Sequence, residues 1–160
     1  MNIVKPGFER EIYRQLRQNK MRKLLIKIER QFALDYLEEA VSNMASLVDQ
    51  AKCVFEEDIG YGLASLYYKT GDFMAAMKVL CGIQPQQNQK TPRVLNLKGM
   101  CSVRLNKLKE AAEQFEMCIL LDPCYVNSMN NLGNLAMHSK DYDKCKIYYG
   151  KSKESNPVLK

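Results

Sequence analysis

Asn127, Asn130, Asn131, Asn134 and His138 recur at three- and four-residue spacing within twelve positions. On a helix that spacing sets them along one side. Asparagine is a poor helix former, costing a few tenths of a kcal/mol or more against alanine, so helix stability does not explain the cluster. A side-chain amide donates and accepts at once, which suits gripping the backbone of an extended peptide. The plainer alternative is a solvated helix face, with Asn127 near the helix start. His138, the one histidine, reads as a surface or partly packed side chain. The six cysteines, at 53, 81, 101, 118, 124 and 145, form no C-x-x-C pair. They read as reduced thiols, with Cys118 and Cys145 in packing positions, and not as a zinc site. There is no P-loop, no glycine-rich dinucleotide turn and no nucleophile elbow. Glu38 with Glu39 and Glu56 with Glu57 read as ordinary helix-face charge. The expectation is a protein without catalysis, without cofactor or metal, and without a small-molecule substrate.

The elements that hold these residues must come from 160 residues, enough for one folded unit with a core. The longest apolar stretches, such as Cys118-Ile119-Leu120-Leu121, fall well short of the roughly 20 residues needed to cross a bilayer. Residues 1–30 carry charge throughout, unlike a secretory signal. Together these readings predict a cytoplasmic or nuclear protein in a reducing compartment. Charge is uneven: residues 1–30 hold nine basic side chains against three acidic, and the other 130 residues balance at fifteen of each. Phe8, Ile12, Leu16, Leu24, Ile28 and Phe32 fall at multiples of four among those basic residues. The pattern predicts a basic amphipathic helix after Pro6-Gly7, packed on the helices downstream of it. Contact of residues 1–30 with nucleic acid or an anionic membrane is the less favoured reading.

A repeat organises the rest. Gly99 recurs at Gly133, Ala111 at Cys145, Phe115 at Tyr149, Cys118 at Ser152 and Pro123 at Pro157, each 34 residues on. Small residues where two helices approach, an aromatic between them and a terminal proline describe an antiparallel helical hairpin. The chain here resembles the tetratricopeptide-repeat (TPR) family. Residues 126–159 carry Asn131-Leu132-Gly133-Asn134, Lys140-Asp141-Tyr142, Cys145, Tyr149 and Asn156-Pro157. Residues 92–125 match through Leu95, Gly99, Ala111, Phe115 and Leu121-Asp122-Pro123. Residues 57–91 match through Leu63, Ala64, Tyr67, the run Tyr68 to Phe73, Ala76 and Leu80, and end in the polar loop 84–90 instead of a proline. Residues 1–56 form the basic helical segment, in which 21–56 could be a degenerate unit because Asp35-Tyr36-Leu37-Glu38-Glu39-Ala40 resembles the start of a second TPR helix.

The resemblance implies an all-α, right-handed superhelix of antiparallel hairpins whose first helices line a concave groove. Candidate groove residues are then Tyr61, Ser65, Tyr68 and Lys69, beside Asp58, in the first unit. Arg93, Asn96, Met100 and Arg104 follow in the second, and Asn127, Asn130, Asn131 and Asn134 in the third. This groove would be polar, partly aromatic and mildly basic at one end. The clamp for acidic C-terminal peptides found in co-chaperone TPRs is missing, because Tyr61, Ser65 and Leu97 stand with Asn127 and Asn131 in its places. Lys69, Arg93 and Arg104 could receive another acidic segment. The resemblance implies a protein or peptide partner and an adaptor or assembly-scaffold role. An alternative is a small TPR chaperone of a secretion system that holds an unfolded client. The last repeat lacks the polar capping helix usual in such arrays, which predicts an exposed apolar end surface and, with it, self-association, a partner seated there, or a chain that is a piece of a longer array.

Overall fold

The computed structural model describes residues 6–33, 36–51, 57–83 and 91–155, without the side chains of 6–14, 32, 37, 38, 41 and 49–51. Among them, eight helices follow one another: α1 (Pro6–Ala33), α2 (Leu37–Ala51), α3 (Glu57–Thr70), α4 (Phe73–Cys81), α5 (Pro92–Arg104), α6 (Leu108–Leu121), α7 (Val126–His138) and α8 (Tyr142–Ser155). Each odd helix packs on the even helix after it, and each hairpin packs on the next. Among the described residues the fold is all-α, a succession of antiparallel hairpins, the architecture that the resemblance implied. The side chains of Phe8, Ile12 and Phe32, residue Asp35, the side chains of Leu37 and Glu38, Cys53, Glu56, the polar loop 84–90 and Asn156-Pro157 lie outside the described residues.

The repeat is visible in its contacts. A Cβ added to Gly99 would stand 2.4 Å from Phe115 Cε1, and one added to Gly133 would stand 2.8 Å from Tyr149 Cε1. These glycines therefore let the second-helix aromatic lie directly on the first-helix backbone. Ala76, Ala111 and Cys145 occupy the matching small-residue slot and are buried. The turn inside each hairpin is also shared. Gly71, Asn106 and Lys140 all adopt left-handed backbone, with φ of 86°, 59° and 60°. At each turn two N–H groups reach back to helix carbonyls, as in Lys140 to Met137 and Asp141 to Ala136, the pattern of a Schellman cap. Asp72 and Asp141 then cap the following helices through their Oδ1 atoms, which accept from the backbone N–H of Ala75 and Lys144.

Residues 21–51 also close into a hairpin. Buried Ala40 stands 36 residues before Ala76, and Met44 stands 36 before Leu80, so α2 buries the same two positions as α4 one hairpin later. Near the bend, buried Gln31 donates to Glu39 Oε2 at 2.6 Å and accepts from Asn43 Nδ2 at 2.8 Å. No glycine is needed there because Ile28 and Met44 pack as aliphatic side chains in one core with Met21, Leu25 and Leu47.

One expectation is corrected in part. The every-fourth-residue stripe is only part of the buried face of α1: Ile28 is buried and Leu24 packs on the core, but Leu16 is 59% exposed, and Met21 and Leu25, outside the stripe, are buried. A strict period of four drifts around a helix of 3.6 residues per turn, so residues 8 to 32 could not all share one face. The exposed surface of the last hairpin is mixed, carrying Met137, Tyr142 and Ile147 together with lysines. Val103, Ala112 and Ile119 pack the third hairpin against the fourth. Their counterparts one repeat later are Met137, Lys146 and Lys153, with both lysines exposed. Among the described residues no helix is long and apolar enough to cross a membrane.

Candidate functional site

The first helices α3, α5 and α7 lie side by side and carry the candidate residues. Their inner surface begins at a charged end. Arg93, at the start of α5, meets Glu57 Oε1 at 2.6 Å and Asp58 Oδ1 at 2.5 Å, and its guanidinium lies 5.1 Å from the Tyr61 ring centre. The hydrogen bond to Asp58 is the largest influence and raises the arginine pKa above its ordinary value; desolvation comes next and opposes it, and the hydrogen bond to Glu57 adds to the rise. Thr91 Oγ1 donates to the same Glu57 oxygen at 2.9 Å. Arg93 is thus an inter-hairpin tie neutralised by two carboxylates, and the mildly basic end expected from the sequence is not basic at this residue. Beside it lies a 570 Å³ cavity between α1, α3 and α5, whose lining includes Glu29, Asp58, Tyr61, Ser65 and Lys69. Gly62 lets α1 approach here, since a Cβ on it would sit 2.9 Å from Leu25 Cδ2.

The middle of the surface rests on a buried amide. Asn96 is 7% exposed, and its Oδ1 accepts from Ser128 Oγ at 3.0 Å and from Asn131 Nδ2 at 2.9 Å. Its Nδ2 donates to Met100 Sδ at 3.5 Å. A polar group this deep is tolerated because both ends have partners. Asn130 is likewise engaged, its Oδ1 accepting from Ser152 Oγ at 2.6 Å across the α7–α8 hairpin. The poor helix propensity of these asparagines is therefore offset by bonds between helices. Asn127 is exposed, away from this network.

The far end is a 370 Å³ pocket between the ends of α5 and α7. Met100, Val103, Leu108, Phe115 and Leu135 form its apolar walls, and Tyr68, Asn131, Asn134 and His138 border it. Asn134 Oδ1 accepts from Tyr149 OH at 2.5 Å, so the aromatic resting on Gly133 also orients this amide. Next to the pocket, Tyr68 meets Phe73 edge to face at 5.3 Å, and the Arg104 guanidinium lies 4.8 Å from the Phe73 ring centre. The structure thus brings Tyr68, Met100, Asn131 and Asn134 into one pocket, connects Arg104 to its border only through Phe73, and gathers Tyr61, Ser65, Lys69 and Arg93 in the other. Asn96 and Asn130 are tied up within the scaffold. Of the apolar walls, sequence reasoning found Met100 and missed Val103, Leu108, Phe115 and Leu135. Val103 stands 35 residues after Tyr68, so the repeat register would have placed it on the same face.

The described cysteines 81, 101, 118, 124 and 145 are free thiols. Burial pushes the Cys101 thiol pKa up to about 11 and raises that of Cys118, whose Sγ donates to the Pro92 carbonyl at 3.2 Å. Both are protonated packing groups near neutral pH. Among the described residues no cluster of three or more His, Cys, Asp or Glu could hold a metal ion.

Residues 92–123 and 126–158 match the tetratricopeptide repeat family. Hsp70-Hsp90 organizing protein 2 of Arabidopsis thaliana is 29% identical over 72 residues, which are 45% of this chain and 13% of that protein. The chain therefore corresponds to only a small part of that relative. PilW, a widely conserved type IV pilus biogenesis factor, has a similar fold with a TM-score of 0.71 at 13% identity, covering 84% of this chain and 61% of PilW. MamA gives 0.68 at 15% identity, over 91% of this chain and 83% of MamA. YrrB, described as a TPR protein with an unusual peptide-binding site, gives 0.57 at 15% identity over 84% and 85% of the two chains.

Proposed function

We propose, from the match of residues 92–123 and 126–158 to the tetratricopeptide repeat family, that this chain is a non-enzymatic scaffold binding a segment of a partner protein along α3, α5 and α7. The observation that carries this reading is the 370 Å³ pocket with an apolar floor and an amide border on the inner helices. Such a combination buries a side chain while fixing the orientation of what surrounds it. The peptide-binding site described for YrrB agrees with a fold of this kind holding peptide. The name of the Arabidopsis relative refers to organising Hsp70 and Hsp90. That role is not carried over, because Tyr61, Ser65 and Leu97 replace the charged and amide residues of the carboxylate clamp.

The test is selection of a phage-displayed library of random dodecapeptides against the folded chain, with amide NMR mapping of the peptides selected. Convergent peptides that shift resonances of α3, α5 and α7 support the reading. Failure to select any peptide, or shifts confined to α4, α6 and α8, would overturn it.

A further inference from the structure

We infer that the pocket between α5 and α7 is an anchor site for one bulky apolar side chain of an extended segment, read together with a carboxylate two residues away. This deepens the reading above and rests on it. Four observations meet here. First, the pocket walls are Met100, Val103, Leu108, Phe115 and Leu135, which offer no charge and reward burial of an aliphatic or aromatic group. Second, Asn131 uses its Nδ2 on Asn96 and keeps Oδ1 as an acceptor, while Asn134 uses Oδ1 on Tyr149 and keeps its NH2 group as a donor. An acceptor and a donor one turn apart match the N–H and C=O of an extended backbone. A helical segment has already spent those groups internally.

Third, Arg104 is exposed and stacks on Phe73, which in turn meets Tyr68 of the pocket border, so its guanidinium stands one ring away from that border. Unlike Arg93, it has no carboxylate within ion-pair distance among the described residues. Fourth, the spacing fits. Met100 and Arg104 are one helical turn apart, which puts their Cβ atoms about 5–6 Å from each other. Two residues of extended chain advance about 6.6 Å and return a side chain to the same face. The recognised pattern is therefore an apolar residue, any residue, then Asp or Glu, in one chain direction or the other.

The selected dodecapeptides test this. They are expected to share Leu, Ile, Met or Phe at one position and Asp or Glu two positions away. Fluorescence polarisation of a labelled consensus peptide should show at least tenfold weaker binding to Met100→Glu. It should show a several-fold loss with Arg104→Gln that shrinks as salt is raised. Reselection on Arg104→Glu should replace the acidic residue by Lys or Arg while keeping the apolar one. The circular dichroism and melting temperature of each variant establish that it is folded. Peptides mapping to α3, α5 and α7 that lack an apolar consensus, or that bind Met100→Glu undiminished, would sink the anchor and leave the scaffold reading standing. An acidic preference unchanged on Arg104→Glu would sink the carboxylate contact. Failure to select any peptide would remove the scaffold reading itself.

Discussion

Gly99 and Gly133 occupy the same place in successive hairpins, yet replacing each by alanine should have different outcomes. In the interior of a helix, Gly→Ala gains about 0.8–1.0 kcal/mol. Against that stands the ring on each glycine. The new Cβ at 99 would lie 2.4, 2.7 and 2.8 Å from Phe115 Cε1, Cδ1 and Cζ, so the ring must retreat by about 1 Å to reach ordinary contact. Phe115 is 0% exposed and packed with Ala111 and Leu132, so it can retreat only by breaking that packing and intruding on the pocket it walls. Overpacking of this kind costs about 1–3 kcal/mol, so Gly99→Ala should lose roughly 1–2 kcal/mol net. At 133 the closest approaches are 2.8 to 3.0 Å, and Tyr149 is only half-buried, held by its hydrogen bond to Asn134. That ring can pivot toward solvent at the cost of about 0.5–1 kcal/mol, which cancels the helix gain. Thermal melts followed by helical circular dichroism should show Gly99→Ala lowered by roughly 2–8 °C and Gly133→Ala within about 2 °C of the parent. Adding Phe115→Leu to Gly99→Ala should cost less than the two single losses combined. Equal shifts at both glycines, or a rise at Gly99, would refute the claim that the buried ring decides the sign.

Lys140 is a left-handed position filled by a side chain that disfavours it, so Lys140→Gly should raise stability by about 0.5–1 kcal/mol, and an unchanged or lowered urea midpoint would count against strain there. Asn96→Ala leaves the Ser128 hydroxyl without its Asn96 acceptor and should cost about 1–3 kcal/mol, whereas exposed Asn127→Ala should stay within about 0.5 kcal/mol in the same chemical melts. Iodoacetamide at pH 8 followed by peptide mass spectrometry should label exposed Cys81 and Cys124 first and reach buried Cys101, Cys118 and Cys145 only when denaturant is added. Because burial raises the Cys101 pKa to about 11, its contribution to stability is fully present below the unfolded thiol's pKa of about 8.5 and is lost as pH rises toward 11. In Cys101→Ala the fall of the melting temperature across that alkaline window should be shallower than in the parent; an identical slope would exclude Cys101 as its source.

The hairpins were legible because their signals are local and repeated. Gly99 and Gly133, with their aromatics sixteen residues on, state a contact that any two antiparallel helices of this kind must make. The hairpin of residues 21–51 was harder to read, since Ile28 and Met44 fill the same space without glycine or aromatic ring. The basic helix misled because a period of four looks regular in a sequence and drifts on a cylinder. The asparagines show the deeper limit. Spacing places Asn127, Asn130, Asn131 and Asn134 along a helix, but their tasks depend on partners that no spacing reveals. Ser152 lies 22 residues after Asn130, and Asn96 lies 35 before Asn131. Arg93 reads as groove charge in the sequence, whereas in the fold Glu57 and Asp58, at the head of the preceding hairpin, close on it.

Those engagements sharpen what the surface can recognise. Neutralising Arg93 and burying Asn96 remove two polar groups that could have held a ligand loosely in many ways. What stays available near the pocket is few in number and fixed in direction. Asn134 is oriented by Tyr149, Asn131 by Asn96 and Arg104 by Phe73. Each of these ties crosses from one helix to another, within the fourth hairpin for Asn134, between the third and fourth for Asn131 and between the second and third for Arg104, so the shape of the pocket is set by bonds that also hold the hairpins together. Groups held in place before binding lose little conformational entropy on contact, and they reject partners whose polar atoms fall elsewhere. Affinity at this site should therefore depend on the stacking of the hairpins as much as on the residues the partner touches. Asn96→Ala should weaken a pocket-bound peptide although Asn96 lies beneath the surface. Asn127→Ala, which removes an exposed amide from the same row, should leave peptide affinity unchanged.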